Sequence, residues 1–96
     1  MKLVSMKKVE GCLEGANAYD FHFDNPIDKA FCDYIGAWGK YIYNDSFDKP
    51  FFKVMVKGYY TIKGSVGNKT FRVLLPETPF QEILDEIEEN LKQYIG

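Results

Sequence analysis

Residues 51–75, FFKVMVKGYYTIKGSVGNKTFRVLL, decide the fold that the sequence predicts. Over residues 51–63 apolar and polar side chains alternate with a period of two, which is typical of a half-buried strand. The segment 64–68 has the glycine and asparagine content of a hairpin loop, and residues 70–75 are predicted to return as a second strand. Gly58 interrupts the alternation, so we expect a bulge or a close backbone approach there.

The same part of the chain concentrates the positive charge. Residues 49–76 hold six basic residues and no acid, a net charge of +6, whereas residues 1–48 carry −3 and residues 77–96 carry −5. A basic sheet face with an aromatic ring can hold single-stranded nucleic acid, because lysines neutralise phosphates and rings stack on bases. The candidate residues for binding nucleic acid or another anionic ligand are Lys53, Lys57, Tyr59, Lys63 and Arg72. The alternatives are solvated lysines that protect the strand from edge-to-edge aggregation, or pairing with acids elsewhere in the chain.

Upstream of this stretch, two further strands and a helix are predicted. Residues 3–10 and 18–24 alternate as strands do. Asn25 and Pro26 form a helix start, because Asn caps the first turn and Pro needs no N–H partner there. Apolar residues then recur at helical spacing, so we expect the helix to continue to about Tyr43. The alternative is an end near Gly36, since glycine is unfavourable in a helix interior.

A second helix is predicted at the end of the chain, and it completes the fold. Thr78 and Gln81 fit a capping box, and an apolar stripe follows Pro79. The sequence therefore predicts an α+β two-layer sandwich in which a four-stranded antiparallel sheet carries two helices on one face, in the order ββαββα. The two helices match at an offset of 53 residues. This match indicates either a ββα pseudo-repeat or simply two amphipathic helices that both start at a proline.

Composition sets limits on the class of protein. The 96 residues are 46% hydrophobic, 27% charged and 17% aromatic, with a net charge of −2, which favours a single folded domain over residues 1–96 and excludes a disordered chain. No apolar run is long enough to span a membrane, and residues 1–8 lack the apolar core of a signal peptide. With only two cysteines, and no CxxC spacing, we expect a reduced, cytoplasmic protein without a membrane partner.

A weak metal site is the remaining candidate for chemistry. Asp20, His22 and Asp24 share one parity of a predicted strand, so their side chains lie on one face. All three would be strained as ligands of one ion, because a strand spaces them about 6.5–7 Å apart. The alternative is the polar side of an amphipathic strand. Since the sequence has no nucleophile elbow, phosphate loop or dinucleotide fingerprint, we expect no enzyme and no cofactor, and a small enzyme or metal site around His22 is the third alternative.

The aromatic residues in the middle of the chain exceed what a core of this size needs. Tyrosine and other large rings at a surface are common anchors of protein interfaces. The candidate residues for a protein partner are Tyr43, Phe47, Phe51 and Tyr59. The first expectation is therefore a small non-catalytic module that binds a protein partner or itself, in a regulatory, inhibitor-like or assembly role, and nucleic acid binding is the alternative.

Overall fold

A computed structural model of the chain describes residues 2–9, 17–46, 48–56, 60–75 and 80–94. These residues form six strands and two helices, in the order ββαββββα. The α+β class is confirmed, whereas the predicted order ββαββα is wrong. The elements are β1 (Leu3–Lys8), β2 (Asn17–Phe23), α1 (Lys29–Gly36), β3 (Lys40–Asn44), β4 (Phe51–Val56), β5 (Tyr60–Ser65), β6 (Thr70–Leu75) and α2 (Phe80–Lys92).

The six strands form one antiparallel sheet in the order β1-β2-β6-β5-β4-β3. The prediction of a four-stranded sheet is therefore wrong, and the two missing strands have separate causes. The sheet joins distant parts of the chain, because β2 pairs with β6 at its centre. Two hairpins, β4–β5 and β5–β6, and the pairing of β3 with β4 build the half that carries the basic residues.

The first missing strand comes from residues 51–63, which were predicted as one strand and form parts of two. β4 pairs with β5 so that Val56 lies opposite Tyr60. Val56 and Tyr60 lie opposite each other and both have even numbers. Even-numbered side chains therefore lie on the same face of the sheet in β4 and in β5. A single strand and a hairpin therefore give the same alternation, and sequence periodicity cannot separate them. Gly58, the expected bulge, lies outside the described residues.

The second missing strand comes from residues 37–44, which were predicted as the end of the first helix. α1 ends at Gly36, and β3 begins at Lys40. The ring of Tyr41 packs onto the end of the helix, where a Cβ on Gly36 would lie 2.6 Å from it. Within β3 the inward Tyr41 and Tyr43 alternate with exposed neighbours. Because Tyr41 also fits the helical spacing, the sequence pattern alone did not exclude a helix over these residues. The structure shows a strand, so the prediction of the longer helix is wrong.

The first helix also begins later than predicted. Asp28 caps it, and its Oδ1 accepts a hydrogen bond of 2.8 Å from the Phe31 N–H. The predicted start at Asn25 and Pro26 is therefore three residues too early. Asp and Asn side chains cap helices in the same way, so the sequence offered two suitable caps, and the helix uses Asp28. The mismatch between α1, of 8 residues, and α2, of 13, leaves no ββα repeat.

The second helix is amphipathic and carries acids on its outer side. Its buried positions are spaced three or four residues apart, and exposed residues between them include Asp85, Glu86 and Glu89. The predicted cap Thr78 lies outside the described residues. Neither helix in the described part of the chain is long and apolar enough to cross a membrane.

The core lies between one face of the sheet and the two helices. Strand residues that share a face supply one side of it, as the register shows for Phe21 opposite Phe71 and Val73 opposite Ile62. The helices contact each other as well, because the Tyr34 hydroxyl donates a hydrogen bond of 2.6 Å to the Asn90 carbonyl. The buried side chains are Phe21, Phe23, Ile27, Phe31, Cys32, Ile35, Phe52, Val54, Tyr60, Ile62, Phe71, Val73, Leu75, Ile83, Leu84, Ile87 and Leu91.

Candidate anion-binding face of the sheet

The sheet has a second face, which no described helix covers, and we call it the open face. Its central side chains form one row that crosses five strands. Each member lies directly opposite the next in the strand register, about 4.8 Å from strand to strand. The row, from β1 to β4, is Lys7, Asp20, Arg72, Lys63 and Lys53. Four of its five members are basic.

Arg72 and Asp20 form a two-pronged ion pair within this row. Arg72 Nε lies 2.9 Å from Asp20 Oδ1, and Arg72 Nη2 lies 3.3 Å from Oδ2. The side chains are 37% and 25% exposed. Paired hydrogen bonds of this kind fix the plane of a guanidinium group, so Asp20 holds Arg72 in place on the open face.

Lys53 and Lys63 lie directly opposite each other on β4 and β5, and Lys63 also lies opposite Arg72. Like charges in directly opposed positions of a sheet destabilise it. Lys53 and Lys63 form such a pair of like charges, whereas the charge of Arg72 is offset by its ion pair with Asp20. The arrangement concentrates positive potential at the centre of the open face, while the acids of α2 lie beyond the helices on the opposite side of the sheet.

The structure brings together three of the residues predicted for anion binding and adds a fourth. Lys53, Lys63 and Arg72 lie side by side, whereas Lys57 and Tyr59 lie outside the described residues. Phe51 is two residues before Lys53 on β4, and its half-buried side chain lies on the same open face. Sequence reasoning assigned Phe51 to a protein interface. The alternation within β4 is the signal that places it beside the lysines.

The residues predicted for a protein partner do not form one surface. Tyr43 lies opposite Phe52 on the core side, where it is partly buried, and its ring centre is 5.2 Å from Lys29 Nζ. Phe51 lies on the open face, opposite Asn44. Phe47 and Tyr59 lie outside the described residues. Of the two that the structure describes, Phe51 adds to the open face and Tyr43 does not.

The three weak metal candidates are engaged separately. Asp20 pairs with Arg72, and His22 Nδ1 lies 3.0 Å from Thr70 Oγ1. Asp24 follows the end of β2, and its Oδ1 accepts a hydrogen bond of 2.7 Å from the backbone N–H of Lys2. That hydrogen bond is the main cause that lowers the pKa of Asp24. In the described part of the chain no three His, Cys, Asp or Glu side chains are grouped to hold a metal ion.

Cys32 lies in the core, on the buried side of α1. Burial, with a smaller contribution from nearby acids, raises the pKa of its thiol to about 12. A thiol is a nucleophile only in its ionised form. Cys32 therefore acts as a small apolar residue at neutral pH, as free buried cysteines commonly do.

A shallow depression of about 360 Å³ opens on the same face, next to the turn between β5 and β6. It is lined by two cations, one carboxylate, two phenyl rings and several hydroxyl or amide groups. Its volume is at the lower end of the range of small-molecule sites. The lining residues are Asp20, Phe51, Lys63, Gly64, Ser65, Asn68, Thr70, Phe71 and Arg72.

Comparisons of the chain with protein-family models, curated proteins and solved structures found no match. The chemistry of the open face is therefore inferred from its own side chains. These side chains combine clustered positive charge, the phenyl ring of Phe51 and a polar concavity, which together suit an anionic ligand that also carries a flat apolar group.

Proposed function

We propose that this protein is a small non-catalytic module that binds single-stranded nucleic acid on its open sheet face. The row formed by Lys53, Lys63 and Arg72 is the observation that carries the proposal. A row of cations on one face raises the positive potential there, so it attracts an anionic partner. A phosphate backbone supplies repeated negative charge along a line, which matches a row of cations.

The ring of Phe51 supports nucleic acid over a purely ionic ligand. It lies one alternation along β4 from Lys53, so a base can stack on it while the neighbouring phosphate lies over the lysines. A phenyl ring has no hydrogen-bonding group, and we therefore expect little sequence preference. Although the whole chain has a net charge of −2, its acidic α2 lies on the far side and leaves the open face as the side an anion approaches.

An acidic protein partner is the second candidate function. It is favoured by apolar side chains next to the lysines. Ile42 is 39% exposed on edge strand β3, and Met55 is half-buried on β4, both on the open face. Charged rims around apolar contacts are typical of protein interfaces. We also propose a cytoplasmic location, which the free thiol of Cys32 supports because reducing compartments keep thiols unpaired.

A binding titration at several salt concentrations tests the proposal. Labelled mixed-sequence single-stranded RNA and DNA are titrated with the wild type, Lys53→Glu and Lys92→Glu. Lys92 lies in the last turn of α2, so its variant makes the same change of charge away from the open face. We expect affinity to fall as salt rises, and Lys53→Glu to weaken binding about tenfold while Lys92→Glu has little effect.

Two results would contradict the proposal. One is the lack of any binding at low salt by a folded wild-type protein. The other is an equal effect of Lys53→Glu and Lys92→Glu, which would mean that the nucleic acid responds only to net charge. If an acidic polypeptide binds instead and Lys53→Glu abolishes that binding, the acidic protein partner replaces nucleic acid.

A further inference from the structure

The depression on the open face is built from three adjacent strands and the turn that joins two of them. Phe51 lines it from β4, Lys63 and Ser65 from β5, and Arg72 from β6. The turn is held by two backbone hydrogen bonds of 2.8 Å, from the Ile27 N–H to the Asn68 carbonyl and from the Gly67 N–H to the Ile27 carbonyl. Its rim is therefore fixed by the fold before any ligand binds.

We propose that this depression is the subsite for a single nucleotide, with the phosphate at Lys63 and Arg72 and the base on Phe51. The inference rests on the proposed function and assigns one unit of the bound strand to a named place. Within the depression Phe51 lies on the strand next to that of Lys63 and two strands from Arg72. Phe51 is on β4 and Arg72 on β6, two strand spacings apart, which is about 10 Å. This span suits a phosphate and a base joined by one sugar.

The phosphate end is preorganised by Asp20. Its two hydrogen bonds to Arg72 hold the guanidinium group at the β2 side of the depression. The carboxylate also repels an anion that approaches from that side, so the phosphate lies toward Lys63 on the neighbouring strand. The hydroxyl group of Ser65, next along the open face of β5, adds an uncharged donor.

The base end consists of Phe51 and the polar groups beside it. Ser65 lies directly opposite Phe51 in the register, and Asn68 lies in the turn beyond. A base on the ring is therefore next to a hydroxyl and an amide that can hydrogen-bond to its sugar or its edge. Because stacking on phenylalanine is uncharged, its contribution to binding does not depend on salt, whereas the contribution of Lys63 does.

The test separates these two contributions with matched variants. Binding of a labelled single-stranded oligonucleotide is measured against salt for the wild type, Phe51→Leu, Lys63→Gln and Val4→Ala. Val4 is an exposed apolar residue of edge strand β1, three strands from β5 and outside the depression, so Val4→Ala is the control. We expect Phe51→Leu to weaken binding about tenfold with an unchanged salt slope. Lys63→Gln is expected to lower the slope by about 1, and the control to leave both unchanged.

Competition with small molecules checks the size of the subsite. Adenosine monophosphate is compared with inorganic phosphate and with adenosine as a competitor of the oligonucleotide. The nucleotide is expected to compete at least about tenfold better than either part alone, and Phe51→Leu to remove its advantage over phosphate. The subsite is wrong if the nucleotide competes no better than phosphate, or if Phe51→Leu binds the oligonucleotide as the wild type does.

The outcome for the subsite is distinguishable from that for the proposed function. If the oligonucleotide binds with a steep salt dependence that Lys53→Glu reduces, while Phe51→Leu has no effect, the open face binds phosphates without this subsite. If the oligonucleotide does not bind to folded wild-type protein at any salt concentration, both proposals fall together. Circular dichroism and thermal unfolding of each variant confirm that a loss of binding does not reflect a loss of fold.

Discussion

Phe71 and Arg72 are neighbours on β6, but they lie on opposite faces of the sheet. Phe71 is 1% exposed and contacts the rings of Phe21, Phe23 and Phe31, whereas the Arg72 side chain is 37% exposed and pairs with Asp20. The core face is packed with apolar side chains from all six strands. The open face of the same strands keeps like charges opposite one another. The comparison teaches that the residues of each strand that face the core stabilise the fold. The alternate residues, which face the open side, can therefore be selected for binding.

Truncation of one residue on each face should give the largest contrast. Phe71→Ala removes a fully buried ring from the aromatic cluster and should lower the free energy of unfolding by about 3–5 kcal/mol. Thr70→Ala, on the other side of Phe71 in the chain, removes a partly exposed hydroxyl and should cost no more than about 1 kcal/mol. Urea unfolding curves measure both. Similar losses for the two variants would mean that the faces do not differ as described.

The next contrast lies at two neighbouring residues of β5. A Cβ on Gly64 would lie 2.9 Å from the end of the Phe52 ring and 3.1 Å from Phe71 Cβ, in the packed core. Gly64→Ala should therefore destabilise the protein by about 1–3 kcal/mol. Ser65→Ala changes a half-buried side chain of the open face and should stay within about 0.5 kcal/mol. If Gly64→Ala left the free energy of unfolding unchanged, the core would have room for a methyl group at this position, which would contradict the packing described.

The core face should also set the response to alkaline pH. Burial is the main cause that raises the pKa of Tyr60 from 10.0 to about 12, and that of Cys32 from 9.0 to about 12. As pH rises above 9, the unfolded chain loses these protons before the folded one does, so stability falls. Below pH 9 the two groups contribute no pH dependence. Urea unfolding at pH 8 and pH 11 should show a smaller loss for Tyr60→Phe than for the wild type, and equal losses would refute this cause.

The smallest expected effect is a gain in stability on the open face. Lys53→Thr removes one of the two lysines that lie directly opposite each other and places a β-branched residue in a strand. The free energy of unfolding should rise by about 0.2–1 kcal/mol, while affinity for single-stranded nucleic acid falls. Lys40→Thr, on edge strand β3 opposite Met55, is the control for a lysine outside the row. A loss of stability in Lys53→Thr would contradict the view that the two opposed lysines cost folding free energy.

Part of the fold could be predicted from the sequence, and there is a physical reason why the rest could not. The alternation over Tyr19–Phe23 and Thr70–Leu75 predicts strands, and the stripe of α2 predicts a helix, because each pattern has a single period. Tyr41 fits the helical stripe and the alternation of a strand equally well, whereas Tyr43 fits only the strand. The end of α1 depends on the packing of Tyr41 against Gly36, which is a contact that sequence periodicity does not contain.

The candidate site could also be predicted only in part from the sequence. The concentration of positive charge in residues 49–76 predicts a basic surface, and the alternation puts Lys53 and Lys63 on one side of it. The partner of Arg72 could not be found this way, because Asp20 is 52 residues away and meets it only through the pairing of β2 with β6. Without knowledge of this pairing, the sequence shows only that Asp20 and His22 share a strand face, and Asp20 was therefore assigned to a metal site.

Methyl resonances on the two faces test most directly whether the open face is the binding face. Val54 and Met55 on β4, and Val73 and Leu74 on β6, are neighbours whose side chains lie on opposite faces. Single-stranded oligonucleotide is added to protein with labelled methyl groups, and their chemical shifts are followed at low salt. We predict large shifts for Met55 and Leu74 and small ones for Val54 and Val73. Shifts confined to the methyl groups of α2, or none at all when binding is seen by another method, would contradict the account.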